Sequence, residues 1–317
     1  MIASLNAPRG KFLASIPFVR DIDFAYGEPD EILPGVRRVI ANNPGPYTFT
    51  GSGTYILGAG EVAIIDPGPN RENHTDALIA ATHGEKITHI LITHTHCDHC
   101  GNARDLANRT GAKVYGFGPH PVADKIDDAP ALDEGADYKF SPDIIISDSD
   151  VVEHGNWRVE AVHTPGHLSN HLCFAMPEHK ALFTGDHMMG WATTVVAPPD
   201  GDMGDYLESL DKLLARDDEI YFPTHGAPIK KPRRFVRAVK THRLMRDAQI
   251  LDQLRQGRDT IRKITPVMYA DVDPRLHKAA ALNVYAHLIR LVRIGTVSCD
   301  GKPALDSSYS LKEKAAD

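Results

Sequence analysis

The sequence His94-Thr95-His96-Cys97-Asp98-His99 is separated by a single residue from the apolar residues 90–92. It places three imidazoles and a carboxylate within six positions, where a predicted buried strand gives way to a loop. Burying such groups is costly unless something binds them, because they lose their hydration in a protein interior. Neutral histidine nitrogen and aspartate oxygen are ligands that zinc and similar divalent ions prefer. The stretch therefore predicts a metal site at the end of a strand.

Further candidate ligands lie downstream, each at the end of another apolar run. His163 follows residues 157–162, Asp186 follows residues 181–185, and His225 follows residues 219–224. A lone histidine at a strand end is usually structural, but loops at strand ends lie on one rim of a sheet and can converge there. Together with the first cluster they give enough ligands for two ions. The predicted set is His94, His96, Asp98, His99, His163, Asp186 and His225.

The order and spacing of these residues resemble the metallo-β-lactamase superfamily. The resemblance implies an αββα sandwich with a dinuclear site along one edge of its two sheets. It assigns the first metal to His94, His96 and His163, the second to Asp98, His99 and His225, and the bridge between them to Asp186. The superfamily's β-lactamases typically have Cys or Ser at the bridging position, whereas glyoxalase II-like and ribonuclease members have Asp. Asp186 therefore argues against antibiotic hydrolysis.

Four more residues are candidates for supporting the metals or lining a substrate groove. Asp66 begins the turn Asp66-Pro67-Gly68, and the resemblance implies that it orients the metal site; chemistry alone equally favours a turn cap. His171, His187 and Trp191 lie close in sequence to the predicted ligands. For the two histidines a supporting or solvated role is favoured over substrate contact.

Residue patterns predict a catalytic domain over residues 1–232 and a second domain over residues 233–317. In the first, residues 54–57 and 62–65 form a predicted hairpin, and residues 71–82, 102–110 and 202–215 have helical spacing. The second has predicted helices at 233–257, 260–269 and 275–294, followed by a small β element at 295–301. Residues 276–295 resemble the C-terminal winged helix of the superfamily subgroup that contains β-lactamase-like protein two. The expected architecture is an αββα sandwich with a winged-helix-like C-terminal domain.

Charge is divided unevenly between the two predicted domains. Residues 1–232 carry a net charge of −15 and residues 233–317 carry +8, which together give −7. A basic tail on an acidic domain suggests an anionic partner. Lys278, Arg290 and Arg293 on the third predicted helix could contact nucleic-acid phosphates. A purely structural role for this domain is equally compatible with its charge.

Other sequence features predict a cytoplasmic protein that does not associate with membranes. The four cysteines give no disulfide framework. Residues 1–10 lack a basic start followed by an apolar stretch, and no run approaches 18 apolar residues. The oligomeric state is open, with a dimer as one alternative.

The expected activity is metal-dependent hydrolysis by a hydroxide that bridges two divalent ions, with zinc as the expected metal. Asp98 is the predicted catalytic residue, because it would both bind metal and orient the attacking water. The subgroup resemblance and the basic tail favour a single-strand endoribonuclease. The overall acidic charge supports an alternative, a hydrolase of small acyl substrates such as a thioester, a lactone or, more weakly, a β-lactam. A further alternative is an iron-containing oxidoreductase-type relative.

Overall fold

Two β-sheets form the centre of the computed structural model, which describes residues 16–121, 135–271 and 277–312. The first sheet has seven strands in chain order, antiparallel from β1 to β4 and parallel from β4 to β7. Its strands are β1 Asp30–Leu33, β2 Val36–Ile40, β3 Gly53–Leu57, β4 Glu61–Ile65, β5 Lys86–Leu91, β6 Lys113–Gly116 and β7 Ile144–Ile145. The second sheet has five strands in the order β12-β11-β10-β9-β8. Its strands are β8 Val151–His154, β9 Trp157–His163, β10 Leu172–Met176, β11 Ala181–Gly185 and β12 Ile220–Pro223.

Seven α-helices occur among the described residues, together with a 3₁₀ turn at Pro177–His179. The helices are α1 Glu72–Ala81, α2 Cys97–Cys100, α3 Ala103–Thr110, α4 Met203–Ala215, α5 Pro232–Arg255, α6 Ile261–Met268 and α7 His277–Arg293. The predicted hairpin and the predicted helices are confirmed to within about two residues at the described ends. The predicted start of the last helix, at residues 275–276, lies outside the described residues.

Three hydrophobic clusters account for the layering of these elements. Leu57 from the first sheet and Phe174 from the second are completely buried in the cluster between the sheets. Ile56 points the other way and packs with Leu78 of α1, since successive strand residues face opposite sides. On the far side of the second sheet, helices α4 and α5 contribute buried residues to a third cluster. Helix, sheet, sheet and helix therefore form the predicted αββα sandwich.

The C-terminal helices α5, α6 and α7 enclose a core of their own. This core includes Ile250, Ile264 and Leu288, and it is closed by the antiparallel pair β13 Val297–Cys299 and β14 Tyr309–Leu311. Three helices and a β-hairpin are the predicted winged-helix arrangement. The first turns of α5, however, pack against the second sheet, so the domain division at residue 232 stays a prediction.

The described helices include none that is both long enough and apolar enough to cross a membrane.

We expect Leu57→Ala to lower the free energy of unfolding by about 2–5 kcal/mol, because it opens a cavity between the two sheets. Leu244→Ala is the matched control, since the Leu244 side chain on α5 is 44% exposed, and it should cost no more than about 0.5 kcal/mol. Urea unfolding followed by circular dichroism measures both. Equal losses in the two variants would show that the sheet interface is not the main core.

Candidate metal centre

The predicted ligand loops come together at one edge of the sandwich. His94 lies just beyond β5, Asp186 directly follows β11, and His225 lies just beyond β12. Backbone hydrogen bonds join the two sheets here: Leu172 N donates to Thr93 O at 2.7 Å, and Gly53 N donates to Thr224 O at 2.9 Å. The loops are therefore held by the strands of both sheets.

The first group of potential ligands consists of His94, His96, His167 and Asp186. One donor atom from each lies within 4.8 Å of the other three, so the group could hold a metal ion. His167 Nδ1 donates to the carbonyl oxygen of Val195 at 2.7 Å, which directs its Nε2 atom into the cluster, 3.1 Å from His96 Nδ1. Proteins usually orient a metal-binding imidazole by holding its other ring nitrogen in a hydrogen bond.

The prediction of His163 in this group is corrected by the structure, which places His167 there instead. His163 is the last residue of β9; its Nε2 atom donates to the carbonyl oxygen of Ser169 at 2.8 Å, and its ring stacks on Phe117. A turn in the chain follows His163, and His167, which comes after that turn, lies at the edge of the sandwich where the other candidate ligands meet. The sequence Thr164-Pro165-Gly166-His167 indicated this alternative, because it has a second histidine directly after the turn.

The second group contains Asp98, His99 and His225, whose donor atoms also lie within 4.8 Å of one another. His225 Nδ1 donates to the carbonyl oxygen of Gly51 at 3.1 Å, and its Nε2 lies 3.1 Å from Asp98 Oδ2. Asp186 lies between the two groups: its Oδ1 is 3.3 Å from His225 Nε2, and its Oδ2 is 3.9 Å from His167 Nε2. This is the position expected of a bridging carboxylate.

Asp66 supports the second group from behind. Its Oδ2 accepts from His99 Nδ1 at 2.8 Å and from Thr93 Oγ1 at 2.7 Å, and its Oδ1 accepts from Thr93 N at 2.8 Å. The carboxylate thereby fixes His99 Nδ1 as a donor and turns His99 Nε2 towards Asp98 and Asp186. The orienting role that the resemblance implied for Asp66 stays a prediction.

The two remaining predicted histidines lie behind the ligands. His171 Nε2 accepts from the backbone N–H of Asp186 at 3.2 Å, and its Nδ1 lies 2.9 Å from Thr164 Oγ1, so the ring orients the Asp186 backbone. His187 is completely buried and packs against Tyr206. Burial lowers the pKa of His187 to about 3.

Close packing around Asp186 requires glycine at two positions. Gly185 has a φ of 48°, and a Cβ atom there would lie 2.7 Å from His171 Nε2. Gly166 has a φ of 135°, and a Cβ atom there would lie 2.4 Å from Tyr206 Cα on α4. The strand and the turn can reach the cluster only because both residues lack a side chain.

The electrostatics of the cluster fit metal ions. Burial lowers the pKa of His94 well below its usual range and that of His96 to about 3, so both are neutral donors. Burial opposes protonation of His225, but the Asp186 and Asp98 carboxylates raise its pKa to about 9. Among the described residues, Asp98 Oδ1, His99 Nε2 and Asp186 Oδ1 are buried without a hydrogen-bond partner. Such atoms are costly unless a cation binds them.

A cavity of about 240 Å³ opens onto His167 and Asp186. Its walls are mainly apolar, and the C-terminal helices form part of them. The Trp191 ring, which stacks on Phe49 with centroids 4.9 Å apart, lies in this wall. A groove position is what the sequence predicted for Trp191, and its role stays a prediction. The other lining residues are Pro46, Tyr47, Met189, Ala192, Thr193, Val195, Tyr269, Ala279, Ala280 and Asn283.

The fold and the clustered ligands define a hydrolase of the αββα class, and comparison with known proteins identifies the family. The sequence model of the Metallo-beta-lactamase superfamily matches residues 47–225, and that of the Beta-lactamase associated winged helix domain matches residues 260–304. The chain belongs to the metallo-beta-lactamase superfamily. The predicted family and fold are confirmed, and so is the prediction of a hydrolase-type enzyme.

Curated relatives and solved structures agree with this assignment. An atrochrysone carboxyl ACP thioesterase of Aspergillus chevalieri is 34% identical over 233 residues, which cover 72% of this chain and 68% of the relative. Atrochrysone carboxyl ACP thioesterase dmxR1 of a Cryptosporiopsis species is 28% identical and covers 95% of this chain and 88% of the relative. A beta-lactamase domain protein from Burkholderia ambifaria shares the fold, with a TM-score of 0.76 at 20% identity over 92% of this chain and 95% of that one.

The structure predicts that His167→Ala and His163→Ala differ in metal binding. His167→Ala should lower the affinity of one metal ion by more than about 100-fold, because it removes a donor atom from the first group. His163→Ala removes a histidine four residues away that faces Ser169 and should leave the metal content intact. Elemental analysis after dialysis against a weak chelator measures both. Loss of metal in His163→Ala alone would identify His163, and not His167, as the ligand.

Proposed function

We propose that this protein is a metal-dependent hydrolase of thioesters whose acyl group occupies the cavity beside His167 and Asp186. The observation that carries this proposal is the apolar wall of that cavity, directly next to the cluster of potential metal ligands. Concave, mainly apolar pockets with a few convergent polar groups are typical of small-molecule sites. The proposal adopts the small-acyl alternative of the sequence analysis in preference to the endoribonuclease.

The proposed metal ligands are His94, His96 and His167 for one ion and Asp98, His99 and His225 for the other, with Asp186 shared. Two zinc ions bound there would supply a water of lowered pKa and polarise the thioester carbonyl. Imidazole and carboxylate donors suit zinc, although other divalent ions accept the same set.

The protein's own groups would position the reactants. Asp98 Oδ2 accepts from Ser52 Oγ at 3.1 Å and faces His225 Nε2, which fixes the carboxylate and leaves Oδ1 available. We propose that this oxygen helps to orient the attacking water. Trp191, which stacks on Phe49, would form one wall of the acyl site.

The pairing of two of the predicted phosphate contacts on α7 supports this choice over RNA. Arg290, one of the three predicted phosphate contacts, has its Nη1 atom 2.7 Å from Asp247 Oδ2. Arg293 has its Nη2 atom 2.5 Å from Asp202 Oδ2. Both cations are therefore neutralised within the protein, and only Lys278 of the three is exposed without an ion pair to a described residue. The helices contribute walls to the cavity instead.

The names of the relatives support the same reaction class. Two of them are named as ACP thioesterases, which cleave a thioester linking an acyl group to a carrier protein. By analogy, we propose that the acyl group reaches this enzyme on a carrier-protein thiol. The acyl group itself would be bulky and apolar, to match the cavity walls.

We expect purified, zinc-loaded protein to hydrolyse an aromatic acyl thioester of N-acetylcysteamine and to leave a labelled single-stranded RNA intact. The released thiol is measured with a chromogenic thiol reagent. Asp98→Asn should reduce kcat by at least about 100-fold, because it removes a charged metal ligand and water-orienting group. RNA cleavage without thioester turnover would contradict the proposal, and so would turnover that persists in Asp98→Asn.

Ala192→Trp should lower kcat/KM for the aromatic thioester by about tenfold or more, since the half-buried Ala192 lines the cavity and an indole there would fill it. The same variant should retain most of its kcat/KM for an acetyl thioester. Ala215→Trp, at the exposed end of α4, is the control and should change neither value. Equal losses for both thioesters in Ala192→Trp would argue against this cavity as the acyl site.

A further inference from the structure

A dense group of exposed cations lies where β12 leads into α5. Lys230, Lys231, Arg233, Arg234 and Arg237 are all exposed and fall within eight positions. We call these five residues the basic edge. None of them forms an ion pair with another described residue, whereas the nearby Lys240 pairs with Asp211. Five unpaired cations on so short a segment form a strong local positive field.

The basic edge borders a groove of about 530 Å³. Lys230, Lys231 and Arg234 line it together with residues of the N-terminal segment at 17–23. Arg38 also lines the groove; it is 6% exposed, and its Nε atom has no hydrogen-bond partner among the described residues, although its Nη2 pairs with Asp30. The groove therefore combines a positive rim with a concave shape.

The groove and the catalytic cavity lie on opposite sides of one short loop. Gly190 lines the groove, while its neighbours Met189 and Trp191 line the cavity. Gly190 N donates to His225 O at 3.1 Å, and Gly190 O accepts from Val19 N at 3.1 Å. A molecule bound in the groove is thus separated from the proposed acyl site only by the loop at residues 189–191.

We propose that the basic edge and its groove dock an acidic carrier protein, which presents its thioester to the adjacent cavity. This inference rests on the proposed thioester hydrolysis. Charge complementarity supports it, because residues 1–232 carry a net charge of −15 and would repel an acidic partner elsewhere. The basic edge would attract such a partner and steer it to the groove.

The lining of the groove favours a protein over a nucleic acid. Asp21 and Asp23 line it beside the cations, so the groove is of mixed charge and could pair with side chains of both signs on a protein surface. Val19, 48% exposed, lines it as well, and Phe235 and Ile229 contribute apolar surface. Apolar surface with a charged rim is characteristic of protein interfaces.

The test compares two triple charge reversals. K230E/K231E/R234E changes the basic edge, and R255E/R262E/K302E changes three exposed cations outside the groove by the same net charge. The probe is a bacterial holo acyl carrier protein, and its binding is measured by isothermal titration calorimetry. We expect the first variant to weaken the Kd by at least about tenfold, because like charges then face the partner, and the control to change it by less than about twofold. Binding by the unmodified protein should also weaken as salt is raised.

Kinetics give a second readout. The ratio of kcat/KM for an acyl carrier protein thioester to that for the same acyl group on N-acetylcysteamine should fall about tenfold in the first variant only. Absence of carrier binding by the unmodified protein, or equal loss in both variants, would overturn the docking proposal. Binding of single-stranded RNA at the basic edge in place of the carrier protein would also overturn it. Charge-dependent carrier binding without thioester turnover would instead show that the docking surface is correct and the proposed function is wrong.

Discussion

The buried carboxylate of Asp66 connects the parts of the molecule that must meet at the metal centre. It follows β4, accepts hydrogen bonds from Thr93 after β5 and from His99 of α2, and lies 3.3 Å from Thr224 Oγ1 of the second sheet. A buried carboxylate is stable only when its oxygens are fully bonded, so the two sheets must align at this edge. Orientation of His99 then follows from the fold itself.

The same edge requires close approach of backbone segments, which is why it contains glycines. Gly185 and Gly166 let β11 and the turn after β9 come within contact of His171 and Tyr206. Because these approaches are set by the sheet packing, His171 can accept a hydrogen bond from the Asp186 backbone. Asp186 and His99 are therefore positioned by His171 and Asp66, which are not themselves among the proposed ligands. Such preorganisation is what hydrolytic chemistry at a fixed centre needs.

The C-terminal helices combine structural and functional roles. Asp247 on α5 accepts from both His287 and Arg290 of α7, and Asn283 of the same helix accepts from Val196 N. These contacts fix α7 over the cavity, where Ala279 and Ala280 leave room that larger residues would fill. Arg290, which the sequence suggested as a phosphate contact, instead helps to hold α7 against α5. The basic edge, whose five cations form no ion pair with another described residue, lies at the start of α5 and just before it.

The sequence by itself indicated a metal site and six of the seven proposed ligands, because histidines and aspartates crowded after apolar runs are costly to bury unless a metal ion binds them. The order and spacing of these residues, through their resemblance to the superfamily, also gave the fold. The proposal of His167 in place of His163 rests on the tertiary structure, since periodicity locates the end of β9 but not the path of the turn that follows it. Tertiary structure also decided where the C-terminal helices pack, and thus that they line an apolar cavity. The net charge of a segment does not tell which of its cations form ion pairs. Only the folded structure shows that Arg290 and Arg293 are paired and that cations of the basic edge line a groove.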